Sequence, residues 1–167
     1  MKHLYLIRHA KSSWSNPLLD DFDRPLNKRG ENDAPFMANI LLRQHISPNI
    51  ILSSPAKRAK TTAEIFAHTL GYSKKIVWNK DLYLTSPKTL LNILHTIPHK
   101  YNTVFIFGHN PEFTEFANSI SSKTIENIPT CGIVGFELDI KEWNELCKET
   151  SSLICFEFPK KHKKFVL

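Results

Sequence analysis

Cysteine is scarce in this chain. Only Cys131, Cys147 and Cys155 occur in 167 residues, and no two form a Cys-x-x-Cys pair. An odd, scattered set argues against a disulfide-stapled scaffold and for a reduced, intracellular setting. Glycine is thin as well, and none of the five falls in a P-loop or dinucleotide-binding pattern. Long hydrophobic runs are missing: nothing approaches a membrane span, and the apolar stretch after Lys2-His3 is too short for a signal-peptide core. A cytoplasmic protein without membrane contact is expected. Acidic residues are outnumbered, 16 against 22 Lys and Arg, for a formal net charge of +6. Much of that excess lies in Lys160-Lys161-His162-Lys163-Lys164, which reads as a solvated end. No nucleic-acid partner is expected, and the positive balance suits an anionic substrate or a phosphoprotein.

With 41% hydrophobic and 23% charged residues, the chain can bury a sizeable core as a single domain over residues 1–167. Apolar runs alternate with helical patterns, which indicates an α/β layer fold. Strands are expected at residues 4–7, 50–52, 76–78, 103–107, 133–138 and 153–158. Val104 to Phe107 shows no polar alternation, as in a central parallel strand. Ser54 and Pro55 suit the start of a helix with Ala59, Ala63, Phe66 and Leu70 on one face and Gly71 at its end. Asn110-Pro111 opens a helix carrying Phe113, Phe116, Ala117 and Ile120, and Ser86-Pro87 opens another. A further helix is placed at 33–44, with Pro35 blurring its start. After Pro129 two strands around a helical piece at 141–149 would add an antiparallel edge.

The segment "LYLIRHAKSSW" poses the functional question, because an apolar strand ends on a guanidinium and an imidazole, Arg8 and His9. Burying either group alone is costly. Two other strand-to-helix junctions carry matching groups. In "SSPAKRAKTTAE", Arg58 lies in the first turn of a helix, and in "FGHNPE", His109 precedes a helix start. Ligands of open α/β sheets bind beyond the carboxyl ends of the strands, where helix N-termini favour anions. Any one of these residues would pass as structural or superficial. Two Arg and two His brought to one rim make a phosphate site.

"LIRHAKSSW", "DFDRPLNKRG", "SSPAKRAKTTAEIF" and "GHNPEFTEFAN" resemble the histidine phosphatase superfamily, of phosphoglycerate mutase-like fold. Within it the chain is similar to the compact SixA-type phosphohistidine phosphatases, and the likeness runs from Leu4 to about Phe136. It implies a three-layer α/β sandwich with a mostly parallel sheet and an antiparallel edge strand. It also implies that His9 is a nucleophile taking up a phosphoryl group, with Arg8, Arg58 and His109 around the phosphoryl oxygens. No metal and no other cofactor are implied. The substrate would be phosphorylated, with a phosphohistidine-bearing protein as the leading choice and a small phosphate ester as the alternative.

Ala10 stands where the superfamily commonly has Gly, and no carboxylate matches the general acid that many relatives carry in the loop here reading "NKDLYLTSPK". Asp81 and Glu112 are the acids left to test. Arg24 is a candidate outer-pocket residue, and Ser12, Ser13 and Asn110 are candidate hydrogen-bonding partners of the phosphate. Asp21, Asp23 and Arg24 could equally tie down their own loop. Other chemistries fit less well. Asp21-Phe22-Asp23 has the spacing of a magnesium-dependent phosphatase but does not follow a buried strand. None of the cysteines opens a phosphate loop closing on Arg. His95 and His99 have helical spacing, yet Pro98 interrupts the helix and no carboxylate accompanies them. A catalytically inactive phospho-binding module is the alternative outside enzymes.

Overall fold

The structure, a computed structural model, describes residues 1–163, so Lys164 of the basic run lies outside the described residues. Six strands, β1 (Lys2–Arg8), β2 (Ile50–Ser53), β3 (Val77–Trp78), β4 (Thr103–Gly108), β5 (Ile133–Leu138) and β6 (Ser151–Glu157), form one sheet. Their order is β3-β2-β4-β1-β5-β6. The first four run parallel, and β5 and β6 add an antiparallel edge. Helices α1 (Lys28–Arg43) and α2 (Lys57–Leu70) cover one face, while α3 (Pro87–His95) and α4 (Glu112–Ser119) cover the other.

Strand periodicity builds the two cores. Leu4 and Leu6 of β1, with Val104 and Ile106 of β4, join Leu90, Leu94, Phe113 and Phe116 of α3 and α4. Tyr5 and Ile7, with Phe105 and Phe107, join Met37, Leu41, Ala63 and Phe66 of α1 and α2. Successive side chains of a strand point to opposite faces, so a strand covered on both sides reads as continuously apolar. Each fully buried Leu, Ile or Phe contributes about 1.5–3 kcal/mol. The result is the expected three-layer α/β sandwich.

Several boundaries differ from the sequence reading. Helix α1 starts at Lys28, because the Asn27 side chain accepts the Gly30 N–H at 2.9 Å and caps it. Pro35 therefore lies inside the helix, at a cost of about 3 kcal/mol. Burial of Ala34, Met37, Ala38, Ile40 and Leu41 outweighs that cost. Helix α2 starts at Lys57 rather than at Pro55, with Ser54 Oγ accepting the Ala56 N–H at 3.2 Å. The helical piece at 141–149 is two 3-10 turns, Trp143–Glu145 and Lys148–Thr150. The basic run is not simply solvated. Within α5 (Pro159–Lys163), Lys161 and His162 pair with Glu157, and Lys163 reaches the buried carboxylate of Asp33. Among the described residues no helix is long and apolar enough to cross a membrane.

Parallel pairing sets the place of the site. Arg8 is opposite Gly108, and Ser53 is opposite Phe107. One residue further on, the His9 N–H bonds the Gly108 carbonyl at 3.0 Å and the Ser54 N–H bonds the Phe107 carbonyl at 3.0 Å. The carboxyl ends of β1, β2 and β4 thus finish level with one another.

Candidate active site

His9 and His109 leave adjacent strand ends and face each other, with ring centroids 5.2 Å apart and planes inclined at 51°. His9 Nδ1 lies 2.7 Å from the Ala10 carbonyl, which only accepts, so Nδ1 carries the proton and Nε2 keeps its lone pair. Arg58 Nε donates toward that lone pair at 3.4 Å. His109 Nε2 is 2.8 Å from Ser54 Oγ. Ser54 Oγ also accepts the Ala56 N–H, so the serine bonds both the start of α2 and the His109 ring.

His109 Nδ1 is buried without a partner, and so is Arg8 Nε. Arg8 is otherwise fixed through Nη1, which donates to the Ile128 carbonyl at 2.8 Å. Unpaired buried polar groups are rare in folded proteins, and two at one rim mark a place built for a ligand. Burial is the main cause that lowers the His9 pKa to about 3, opposed by the Ala10 bond and reinforced by His109, Arg58 and Arg8. His109 is also lowered to about 3, by burial first and then by Arg58, with Asp21 opposing. Both rings are therefore neutral at neutral pH.

Arg58 is oriented by Asp21, for which the sequence offered a tie within its own loop as one reading. Its Nη1 donates to the Asp21 carbonyl at 2.6 Å, and its Nη2 donates to Asp21 Oδ2 at 2.9 Å. Tyr83 Oη donates to the same Oδ2 at 2.6 Å, and Arg24 Nε donates to Oδ1 at 3.2 Å. Burial raises the Asp21 pKa, but the hydrogen bonds from Tyr83, Arg58 and Arg24 and the charge of Arg58 outweigh it and hold the carboxyl at about 2. Tyr83 had no sequence signal. It stacks on Phe22 at 5.2 Å and lies 5.5 Å from the His109 ring. Thr62 ties the segment after β1 to the first turn of α2, since its Oγ1 accepts the Ala10 N–H at 3.0 Å and donates to the Arg58 carbonyl at 2.7 Å.

The outer candidates divide. Arg24 is buried beside Asp21, donates to Ser12 Oγ at 2.8 Å and lies over the Trp14 ring at 3.5 Å. Ser13 Oγ instead makes a turn with Ser15, at 2.8 Å from its hydroxyl. The Asn110 amide is used by the protein: it donates to Asn127 and to the Ile128 carbonyl and accepts from Thr114. Asp81 is exposed in a 3-10 turn, and Glu112 opens α4. Ala10 is fully buried and has no positive φ, so its methyl is accommodated at this position. Among the described residues no group of three or more His, Cys, Asp or Glu side chains is gathered as a metal site.

Residues 4–82 match the histidine phosphatase superfamily (branch 1). An uncharacterized chloroplastic protein of Arabidopsis thaliana is 33% identical over 153 residues, covering 86% of this chain and 70% of that one. The SixA structure from Agrobacterium tumefaciens aligns with a TM-score of 0.80 at 25% identity, over 95% of this chain and 98% of that chain. A protein histidine phosphatase SixA complexed with tungstate aligns at 0.83 with 19% identity, over 95% of this chain and 98% of that chain. Family and neighbours together support a phosphatase, and the chain belongs to the histidine phosphatase superfamily.

Proposed function

We propose that this chain transfers a phosphoryl group to His9 Nε2 and then to water, and that its substrate is phosphohistidine on a protein. The observation that carries the reading is the pair of unpartnered buried nitrogens, Arg8 Nε and His109 Nδ1, beside a neutral histidine with its lone pair on Nε2. A phosphoryl group held there would accept from Arg8 Nε and, with the His109 proton on Nδ1, from that ring as well, and would lie in reach of the nucleophile.

In the first step the His9 Nε2 lone pair forms a bond to phosphorus, and the substrate's phosphorus–nitrogen bond breaks. The released electron pair stays on the substrate ring, which leaves as neutral imidazole because its other nitrogen is already protonated. His9 now carries the phosphoryl group on Nε2, and its Nδ1–H remains on the Ala10 carbonyl. Water then attacks phosphorus, the bond to Nε2 breaks with its electron pair returning to His9, and both protons of the water leave on inorganic phosphate as H2PO4−. Arg8, Arg58 and His109 stabilise the charge on the equatorial oxygens in both steps.

The leaving group supports the choice of substrate. An alkyl ester expels an alkoxide, and general acid help there is worth about 10²–10⁴-fold. The carboxyl group that does sit at this site, Asp21, is held near 2 and has no proton to give at neutral pH. A phosphohistidine or an activated aryl ester needs no such proton.

Comparison of kcat/KM on a phosphohistidine protein, an aryl phosphate and a sugar phosphate tests the substrate. The expected order is phosphohistidine and aryl phosphate well above sugar phosphate, unaffected by EDTA. Rapid quenching with labelled substrate should trap an acid-labile adduct that His9→Ala lacks. A sugar phosphate preferred by kcat/KM would establish the metabolite reading, with Asp81 or Glu112 as the acid. Binding of tungstate without turnover of any substrate would establish a phospho-binding module.

A further inference from the structure

Half of the large apolar side chains exposed among the described residues belong to the loop and turn after β1 or stand next to Tyr83, two segments bonded to the candidate site through Asp21. Leu18 is 92% exposed, Leu84 is 84% exposed and Trp14 is 73% exposed, with Leu19 and Phe22 also exposed. Trp14, Leu18 and Leu19 lie between the end of β1 and the 3-10 turn Asp21–Asp23, Phe22 lies in that turn, and Leu84 follows Tyr83 directly. Solvation gives no reason to gather them, and an exposed apolar patch of this kind marks an interaction surface.

The patch is bolted to the phosphate pocket. Trp14 lies under the Arg24 guanidinium, and Arg24 is bonded to Asp21. Phe22 stacks on Tyr83 with an interplanar angle of 3°, and the Tyr83 hydroxyl bonds the same Asp21 that holds Arg58. Leu84 has a positive φ of 52°. Left-handed backbone is unfavourable for a bulky residue and is found where the surroundings impose it, often at ligand sites. Here the strained backbone accompanies a side chain left almost wholly in solvent.

We propose that Trp14, Leu18, Leu19, Phe22 and Leu84 form a docking collar for a protein that carries its phosphohistidine at the centre of an apolar patch. The proposal rests on the phosphohistidine reading above. Charge complementarity fixes the centre of that partner surface: Arg8, Arg24 and Arg58 all act on His109 against the carboxylate of Asp21, which pairs with Arg24 and Arg58, so the pocket takes a phosphoryl dianion. The apolar rim fixes what surrounds it. A polyhydroxylated metabolite would leave its hydroxyls against Leu18, Leu84 and Trp14, whereas apolar side chains flanking a histidine would be desolvated there.

Two helical phosphohistidine peptides of about 20 residues test the collar, long enough to hold helix. One has Leu and Ile three and four residues from the phosphohistidine, and the other has Ser and Gln there. The wild-type protein should favour the apolar peptide by about tenfold in kcat/KM, through KM, as one well-buried anchor would give. Leu18→Asp/Leu84→Asp should treat the two peptides alike while keeping aryl phosphate turnover within about twofold. Leu84→Asn, which tolerates the left-handed backbone, should narrow the preference with a melting temperature no lower than that of the wild type. Equal use of both peptides by the wild type would overturn the collar and leave the phosphohistidine reading standing. Hydrolysis of the aryl phosphate but neither peptide would overturn the phosphohistidine reading and the collar with it. Loss of aryl phosphate turnover in the double variant, or a dimer that only the wild type forms, would also overturn the collar.

Discussion

Arg58 Nη2 and Asp21 Oδ2 lie 2.9 Å apart, although the residues are 37 positions apart in the chain. Asp21 also takes the Tyr83 hydroxyl and the Arg24 guanidinium, so one carboxylate orients three side chains at the pocket. It both aims Arg58 and offsets part of its charge.

Asp21→Asn separates those two effects. The amide oxygen can still accept from Tyr83 or Arg58, but it aims the guanidinium less firmly and no longer offsets its charge. Steady-state kinetics on an aryl phosphate should show kcat lowered about tenfold, within the range that small misplacements cost. Tungstate inhibition should be as tight as in the wild type or tighter. Weaker tungstate binding with unchanged kcat would mean that Asp21 has no positioning role.

The pH dependence of kcat/KM should not report a histidine. His9 and His109 are both held at about 3, mainly by burial, so both are neutral well below 6.5. The acid limb should follow the second ionisation of the substrate phosphate, near about 6, and should move when the substrate is changed. A limb fixed near 6.5 for every substrate would assign it to an unperturbed histidine.

Stability should fall on the acid side for the same reason. Both histidines are held at about 3 when folded, against 6.5 for a free imidazole. Between those values the unfolded chain binds protons that the folded chain refuses, so stability rises with pH and is lost as pH falls below 6.5. The loss is about 1 kcal/mol per histidine for each pH unit. Asp21, held at about 2 from 3.8, acts in the same direction: its contribution is present above 3.8 and lost as pH falls toward 2. Melting curves from pH 7.5 to 4.5 should show this slope, and His109→Gln should flatten part of it.

Gly30 should not tolerate a side chain. A Cβ there would lie 2.2 Å from the Lys11 carbonyl oxygen, a backbone atom two residues after His9. Gly30→Ala should destabilise by about 1–3 kcal/mol, as overpacking does. Because the displaced backbone leads straight from the nucleophile, thermal stabilisation by tungstate should weaken as well. A melting temperature equal to the wild type would show that α1 and this segment separate easily.

Much of this molecule was legible in its sequence. Val104 to Phe107 announced a strand covered on both faces because its residues lack polar alternation, and the structure buries all four. Helix faces were legible from residues such as Ala59, Ala63 and Phe66, which recur at helical spacing. Arg8, His9, Arg58 and His109 could be singled out because each lies at or just beyond a strand end, where local order along the chain predicts position in space. The start of α1 was obscured by Pro35, whose local penalty is overridden by burial that no window of sequence displays.

Only the tertiary structure decided how the groups at the rim are bonded. That Asp21 serves Arg58 and Tyr83, that Ser54 holds His109 rather than capping a helix, and that the Asn110 amide is consumed by the loop at Asn127 and Ile128 are long-range facts. The sequence determined which residues reach the carboxyl edge of the sheet, because strand periodicity and helix starts are local. It did not determine their partners, because a hydrogen bond is decided within about 3 Å. Such distances across the chain are set only when both cores close around the sheet.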